Sequence, residues 1–182
     1  MLTNKNPGIP EELHSLLNYL DGEYFERLQK HSEKVMAYIT QLHGGDVHQT
    51  TSLYTNYSKK LVEEIAQYIR MCRVILGPYL LELLEKEDSG HDCRACSSSC
   101  TIRHTAQIDA LQKAHSKIKE TLNLIKSVVH PAEHVSMNAE SFGNLSKEIK
   151  QLDVCLRELF YLEETELIPK VLEVQKAIHA HA

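Results

Sequence analysis

Apolar residues recur at every third or fourth position over most of the 182-residue chain. This period places apolar side chains on one face of an α-helix, whereas the alternating pattern of a β-strand is nearly absent. Four such stripes can be followed: Leu13 to Leu42, Leu61 to Leu83, Ile108 to Val129 and Leu145 to Val171. Because short links join the stripes, sequential helices are expected to be antiparallel neighbours. The pattern predicts an all-α protein built as an up-down-up-down four-helix bundle.

The length of the chain favours a single domain, because 182 residues can enclose one core but are few for two. We expect the bundle to span residues 10–178, with a Cys/His-rich loop at 88–104 between two helix pairs and short tails at 1–9 and 179–182. Gly22 interrupts the first stripe and is predicted to kink or divide that helix.

The chain also contains an internal repeat. The segment "VILGPYLLELL" at 74–84 resembles "TELIPKVLEVQ" at 165–175, and Pro78 and Pro169 fall 91 positions apart. Each proline interrupts a helical pattern, where it removes a backbone donor at a cost of about 3 kcal/mol unless it is compensated. A matching cost in both halves predicts two related helix pairs, each with a tolerated kink. The positions expected to face inward at mid-bundle are Phe25, Tyr68, Cys72, His115, Leu159 and Glu163.

The hemerythrin-like (HHE cation-binding) superfamily is built from helix pairs. Each pair contributes a His, or a His-x-x-x-Glu pair, just before a Leu-Phe-Pro segment. The chain resembles that superfamily, and most closely its di-iron iron–sulfur-cluster repair proteins. The resemblance rests on "LLNYLDGEYFERL", "ILGPYL", "IDALQKAH" and "LFYLEETELIPKVL", and it spans residues 10–175. It implies a hemerythrin-type bundle, and in the family that bundle holds two irons between its four helices.

Carried over residue by residue, most of the family's ligands are lost. The first His falls on Phe25, the next His and Glu on Tyr68 and Cys72, the third His on His115, the fourth on Leu159 and the last Glu on Glu163. A di-iron carboxylate centre needs imidazole and carboxylate ligands from all four helices, so His115 and Glu163 cannot hold it alone. We therefore expect the bundle without its di-iron centre. A register one turn away would put His31 in the place of Phe25.

Two interpretations of the mid-bundle residues stay open. His115 and Glu163 form a buried ion pair that replaces a lost metal, because buried charges require partners. Alternatively, they keep a residual metal with Tyr68 or Cys72 as a third ligand, including a mononuclear site of His115, Glu163 and Cys72.

The segment "HDCRACSSSCTIRH" concentrates thiols and imidazoles: His91, Cys93, Cys96, Cys100 and His104. A Cys-x-x-Cys spacing lets two thiolates reach one metal, and Zn²⁺ accepts three Cys and one His in a tetrahedron. Zinc is favoured over an iron–sulfur cluster, because a surface loop would expose a cluster to oxidation. A redox role for the clustered thiols and a plain Ser-rich loop are the other interpretations.

Composition excludes several classes of function. The net charge of −5 argues against a nucleic-acid partner, and no apolar run approaches the roughly 20 residues that cross a membrane. No signal peptide is visible, so a cytoplasmic location is expected, where the five cysteines are thiols or metal ligands rather than disulfides. Without a phosphate-binding glycine loop or a nucleophile motif, no catalytic residues are assigned.

The sequence leaves three hypotheses for function. The first is a hemerythrin-like metal-binding protein with a degenerate di-iron site and a zinc site in the central loop, which is structural or senses oxidative stress. The second is a metal-free helical bundle that contacts a protein partner, and the third is a retained di-iron stress or cluster-repair function. A homodimer remains open.

Overall fold

The computed structural model describes residues 9–42, 49–90, 99–128 and 139–180, with the side chains of 49–50, 99–105, 139 and 179–180 left aside. Within these ranges every regular element is helical, which confirms the prediction of an all-α chain. The α-helices are α1 Leu13–Leu20, α2 Glu26–Leu42, α3 Gln49–Met71, α4 Gly77–Asp88, α5 Ser99–Ser127, α6 Ala139–Leu162 and α7 Ile168–Ala180. Three π-helical turns lie between them: π1 Asp21–Phe25, π2 Cys72–Leu76 and π3 Glu163–Leu167.

The π turns join neighbouring α-helices end to end, so the described residues form four long rods. Rod 1 spans 13–42, rod 2 spans 49–88, rod 3 spans 99–127 and rod 4 spans 139–180. Helix α2 packs against α6 and α3, α3 packs against α5, and α4 packs against α7. The apolar stripes meet in one core, whose fully buried members include Leu16, Leu28, Leu61, Leu80, Leu111, Leu145 and Leu152.

Two of the π turns are explained by the repeated prolines. Pro78 cannot donate a hydrogen bond to the preceding turn, and its ring pushes that turn's carbonyl away. In the observed structure the N–H of Gly77 reaches back five residues to the carbonyl of Cys72. The N–H of Ile168, just before Pro169, reaches back in the same way to Glu163. The expected kinks are therefore π turns, which widen the helix without breaking it.

The third π turn lies at the predicted break in rod 1. Gly22 falls inside π1, and the N–H of Glu26 bonds the carbonyl of Asp21 five residues back. Rod 1 is therefore neither divided nor ended at Gly22, and a widened turn takes up the irregularity. Among the described residues, no helix combines the length and apolar character that a membrane span requires.

Candidate functional site

Four side chains with metal-binding or acid–base chemistry meet in the middle of the bundle, and together they are called the core cluster: Tyr68, Cys72, His115 and Glu163. Tyr68 lies on α3 one turn before Cys72, which begins π2, while Glu163 begins π3 and His115 lies on α5. All four are buried, with Glu163 only 1% exposed and Cys72 the most exposed at 6%. Two of the three π turns therefore start at a member of the cluster, and π turns inside α-helices are frequent at functional sites.

Glu163 is the centre of the cluster, because both of its carboxylate oxygens accept a hydrogen bond. The hydroxyl of Tyr68 donates to Oε1 over 2.6 Å, and Nε2 of His115 lies 2.7 Å from Oε2. The contact from His115 is a hydrogen bond between the imidazole and the carboxylate. A buried carboxylate is stabilised only when its oxygens are satisfied in this way.

Aromatic rings surround the hydrogen bonds. Tyr68 makes edge-to-face contacts with two phenylalanine rings. The ring centroids of Phe25 and Tyr68 are 5.8 Å apart, and those of Phe160 and Tyr68 are also 5.8 Å apart. Phe160 also stacks on the imidazole of His115 at 3.9 Å. Sequence reasoning assigned the inward position to Leu159, which is fully buried, and missed Phe160. The signal for Phe160 is its place one turn before Glu163 on the same apolar stripe.

Burial determines the protonation of two members of the cluster. Desolvation raises the pKa of the Tyr68 hydroxyl well above its usual value, and the neighbouring charge of Glu163 raises it further. The same two causes raise the pKa of the Cys72 thiol. Both groups therefore keep their protons at neutral pH, and a protonated thiol is a poor nucleophile and a poor metal ligand.

The outer side of His115 faces a surface ion pair. Its buried Nδ1 has no hydrogen-bond partner among the described residues, and the nearest carboxylate oxygen, Oε1 of Glu164, lies 3.7 Å away. Glu164 is half exposed and pairs with Lys119 over 3.1 Å, and the Lys119 ammonium lies 5.4 Å from the centroid of Phe160. The imidazole therefore stands between a buried carboxylate and one that reaches solvent.

A cavity of about 240 Å³ lies beside the cluster, and all three π turns contribute to its walls. Its buried wall includes Phe25, Cys72 and Glu163. At the exposed rim, Arg73 of π2 pairs with Asp21 of π1 over 2.6 Å. The rest of the cavity is lined mainly by apolar side chains. It therefore links the protonated thiol of Cys72 and the buried carboxylate of Glu163 to the protein surface through a mostly apolar opening.

The alternative ligand His31 does not join the cluster. Its Nδ1 lies 2.5 Å from Oε2 of Glu148 on α6, and Lys34 lies 3.4 Å from the other oxygen of the same carboxylate. Phe25, and not His31, contacts Tyr68.

The residues present do not fit a di-iron centre. Among the described residues, no group of three or more His, Cys, Asp or Glu side chains is arranged to hold a metal ion. Phe25 and Leu159 provide hydrocarbon at two expected ligand positions, and Tyr68 and Cys72 carry protons at two others. Both oxygens of Glu163 are already occupied by hydrogen-bond donors.

The predicted loop site lies outside what the structure describes. His91, Cys93 and Cys96 fall in the undescribed segment 91–98. Cys100 and His104 lie in the first turns of α5, where the side chains are not described. The zinc ligand set therefore stays a prediction.

A scan against protein-family models finds no match to this chain, and a search of curated proteins finds no similar sequence.

Proposed function

We propose that the protein is a hemerythrin-like bundle of up-down topology, composed of two repeated helix pairs. Three sets of contacts support antiparallel neighbours, because the residue numbers rise along one rod as they fall along the other. The pairs are Arg27–Glu158 and Gln41–Ser141 between α2 and α6, Glu64–Lys117 and Tyr68–His115 between α3 and α5, and Lys126–Asp153 and Lys119–Phe160 between α5 and α6. The repeat is supported by π2 and π3, which begin 91 residues apart, as do the prolines that follow them.

The proposed activity is metal binding outside the bundle core. The observation that carries it is the engagement of Glu163 by Tyr68 and His115, since each oxygen of the carboxylate already makes one hydrogen bond within the buried cluster. The position that holds two irons in the hemerythrin-like superfamily is therefore degenerate in this chain. It no longer supports a di-iron stress-response or cluster-repair reaction.

The metal is assigned instead to the segment that joins α4 to α5, together with the first turns of α5. Cys93, Cys96 and Cys100, with His104 or His91 as the fourth ligand, bind one Zn²⁺. A zinc ion there connects the two helix pairs, and its thiolates release it when they are oxidised. The site is then structural, or it senses oxidative stress in a cytoplasmic protein.

Elemental analysis of untagged protein tests this proposal, combined with thiol titration before and after a chelator. The variant Cys93→Ser/Cys96→Ser/Cys100→Ser removes the loop thiols, and Cys155→Ala is the matched control, because that buried thiol lies outside the loop and the core cluster. We expect about one zinc per chain in the wild type and in Cys155→Ala, and none in the loop variant. The loop thiols should react only after chelation.

Other outcomes contradict the proposal in distinct ways. Two irons per chain would restore the di-iron hypothesis, and zinc that survives loss of all three loop cysteines would place the metal elsewhere. Absence of metal with the three loop thiols titrating freely before chelation would favour a metal-free module that contacts a protein partner, since Cys72 and Cys155 are buried.

A residual mononuclear site in the core is the second candidate. It is favoured by the cavity that reaches Cys72 and Glu163, since a metal ion needs an entry path. Its ligands would be His115, Glu163 and either Cys72 or Tyr68. Zinc or cobalt that remains in the loop variant and disappears on adding His115→Ala would support this site, and metal retained in both would exclude it.

A further inference from the structure

Five exposed side chains follow one another along rod 2 and are called the rod 2 stripe: Arg70, Val74, Pro78, Leu81 and Glu85. The steps between them are four, four, three and four residues, which keeps them on one side of the helix. Val74 is 64% exposed and Leu81 is 43% exposed, so the middle of the stripe is apolar and open to solvent. An exposed apolar stretch bordered by charged residues is typical of a protein interface.

The order of side chains along the stripe is symmetric about its middle. Val74 lies three residues before Gly77, and Leu81 lies three residues after Pro78, so large apolar side chains flank a small centre on both sides. A basic residue stands at one end of the stripe and an acidic residue at the other, about 22 Å apart along the helix. The glycine leaves room for another backbone to come close at the centre.

The two charged ends of the stripe are not used within the chain. Arg70 and Glu85 are exposed and belong to no ion pair among the described residues, whereas the nearby Arg73 pairs with Asp21 over 2.6 Å. If two such stripes pack in parallel, like charges face each other at both ends. In the antiparallel arrangement each Arg70 faces a Glu85, which is the complementary pairing that specifies an interface.

The internal repeat shows that this symmetry is particular to rod 2. The exposed residues 91 positions further along, on rod 4, are Tyr161, Thr165, Pro169, Leu172 and Lys176. That equivalent stripe keeps the proline and one leucine, but it has threonine in the place of Val74 and no pair of opposite charges at its ends. The charge order of rod 2 is therefore not a by-product of the helix geometry that the two halves share.

We propose that a second copy of this chain packs on the rod 2 stripe, as a dimer with a two-fold axis at the middle of the stripe. Val74 packs against Leu81 of the partner subunit, and Arg70 pairs with Glu85 of the partner subunit, so each contact occurs twice. The stripe is smaller than the surface of a permanent dimer, and the association is therefore reversible. The zinc loop takes no part in it, so the dimer does not rest on the proposed metal binding.

Sedimentation velocity over about two decades of protein concentration tests the proposal. A reductant excludes disulfide-linked dimers, and parallel runs with a chelator exclude dimers that a metal ion bridges. The mass should rise from one chain to two as the concentration increases, equally with and without the chelator. A protein that stays monomeric at every concentration, or a dimer that the chelator dissociates, would overturn the proposal.

Charge reversal tests the antiparallel order. Arg70→Glu sets two acids against each other at both ends of the dimer, and Glu85→Arg sets two bases there, so each variant should raise the Kd of the dimer about tenfold. An equimolar mixture of the two variants should dimerise as the wild type does, because each copy then supplies the charge that the other needs. Lys176→Glu is the matched control, since it makes the same change in net charge on rod 4 and should leave the Kd unchanged. A mixture no better than its components would contradict the pairing.

A matched pair of leucines tests the apolar centre. Leu81→Asp should raise the Kd at least about tenfold, because two unpaired carboxylates would be buried in the dimer. Leu172 occupies the equivalent place on rod 4 and is 42% exposed, so Leu172→Asp should have no effect on the Kd. Circular dichroism establishes that each variant keeps its helix content. A dimer that survives Leu81→Asp, or equal weakening by both substitutions, would place the interface elsewhere and overturn the proposal.

Discussion

Cys72 and Glu163 hold equivalent places in the two halves of the chain. Each begins a π turn, each accepts through its carbonyl the N–H of the residue five positions on, and each lies six positions before a proline. One half therefore contributes a thiol and the other a carboxylate to the same buried cluster. The hydrogen bonds of the cluster are organised around Glu163, because Tyr68 and His115 each contact one of its oxygens.

Removal of the Tyr68 hydroxyl should destabilise the protein. Tyr68→Phe leaves Oε1 of Glu163 buried without a donor, at an expected cost of about 1–3 kcal/mol in the free energy of unfolding. Urea unfolding measures the difference. Tyr161→Phe is the matched control, because Tyr161 is 63% exposed, and its loss should be close to zero. Equal effects of the two substitutions would mean that the bond from Tyr68 contributes nothing.

An all-apolar cluster should be at least as stable as the natural one. Glu163→Leu alone leaves the donors of Tyr68 and His115 unpaired and should cost about 3–5 kcal/mol. Adding Tyr68→Phe and His115→Leu removes those donors, and hydrophobic replacement of a buried ionic group is often neutral or stabilising. Recovery of the wild-type unfolding free energy in the triple variant would show that the cluster is not required for stability. A triple variant as unstable as the single one would contradict this.

Any metal binding in the core should strengthen as the pH rises. Burial and the charge of Glu163 raise the pKa of both Tyr68 and Cys72, so their protons compete with a metal at neutral pH. Apparent affinity for Zn²⁺ or Co²⁺ should increase about tenfold per pH unit for each proton released. The measurement is a titration between pH 7 and 9 in the loop variant, with His115→Ala added as the control. An affinity that does not change with pH would exclude these two groups as ligands.

Glu148 should contribute to stability only above acidic pH. Burial alone would raise the pKa of this carboxyl, but hydrogen bonds from His31 and Lys34 outweigh it and hold the pKa below its usual 4.5. A carboxyl with a depressed folded-state pKa stabilises the fold above its unfolded-state value, and this stabilisation is lost as the pH falls through the folded-state value. The stability difference between wild type and Glu148→Gln should therefore be largest above pH 4.5 and shrink below it. Urea unfolding across this range tests the expectation, with the exposed Glu173→Gln as control. A difference that stays constant with pH would contradict it.

Glycine-to-alanine substitutions should change the stability of the protein differently in a π turn and in an ordinary α-helix. Gly143 in α6 has no atom near the position of an added Cβ, so Gly143→Ala should stabilise the protein by about 0.5–1 kcal/mol through helix propensity. At Gly77 a Cβ would lie 3.3 Å from the carbonyl oxygen of Cys72, the same oxygen that accepts the π-turn hydrogen bond. Gly77→Ala should therefore lose that gain. Equal thermal stabilisation by both substitutions would show that π2 relaxes freely.

The π turns left a signal in the sequence that the proline repeat only partly captured. An α-helix turns about 100° per residue, so three successive apolar steps of four residues drift by about 120°, close to one extra residue. Such runs occur at Leu16, Leu20, Tyr24 and Leu28, at Tyr68, Cys72, Leu76 and Leu80, and at Leu159, Glu163, Leu167 and Val171. In α5, which contains no π turn, the steps alternate between three and four. The spacing therefore accompanies all three widened turns, including the one at Gly22 that has no proline, but it is not specific to them, because Tyr57, Leu61, Ile65 and Ile69 repeat it inside α3.

The contacts of the cluster were less accessible from sequence. The stripes place His115 and Glu163 on inward faces, so their pairing is one of the two interpretations that the sequence supports. The bond from Tyr68 to the second oxygen of Glu163 depends on how two rods are rotated about their axes, which periodicity does not determine. The stack of Phe160 on His115 depends on the same rotation.

Because π2 contains one residue more than an α-turn, the number of residues in π2 sets how far α4 is rotated about the helix axis relative to α3. Loss of one residue from 72–76 would leave the helix content intact but swing α4 by about 100°, carrying Leu80 and Leu83 out of the interior. Insertions and deletions there act as rotations, so natural variants should preserve the length of this turn more strictly than its side chains.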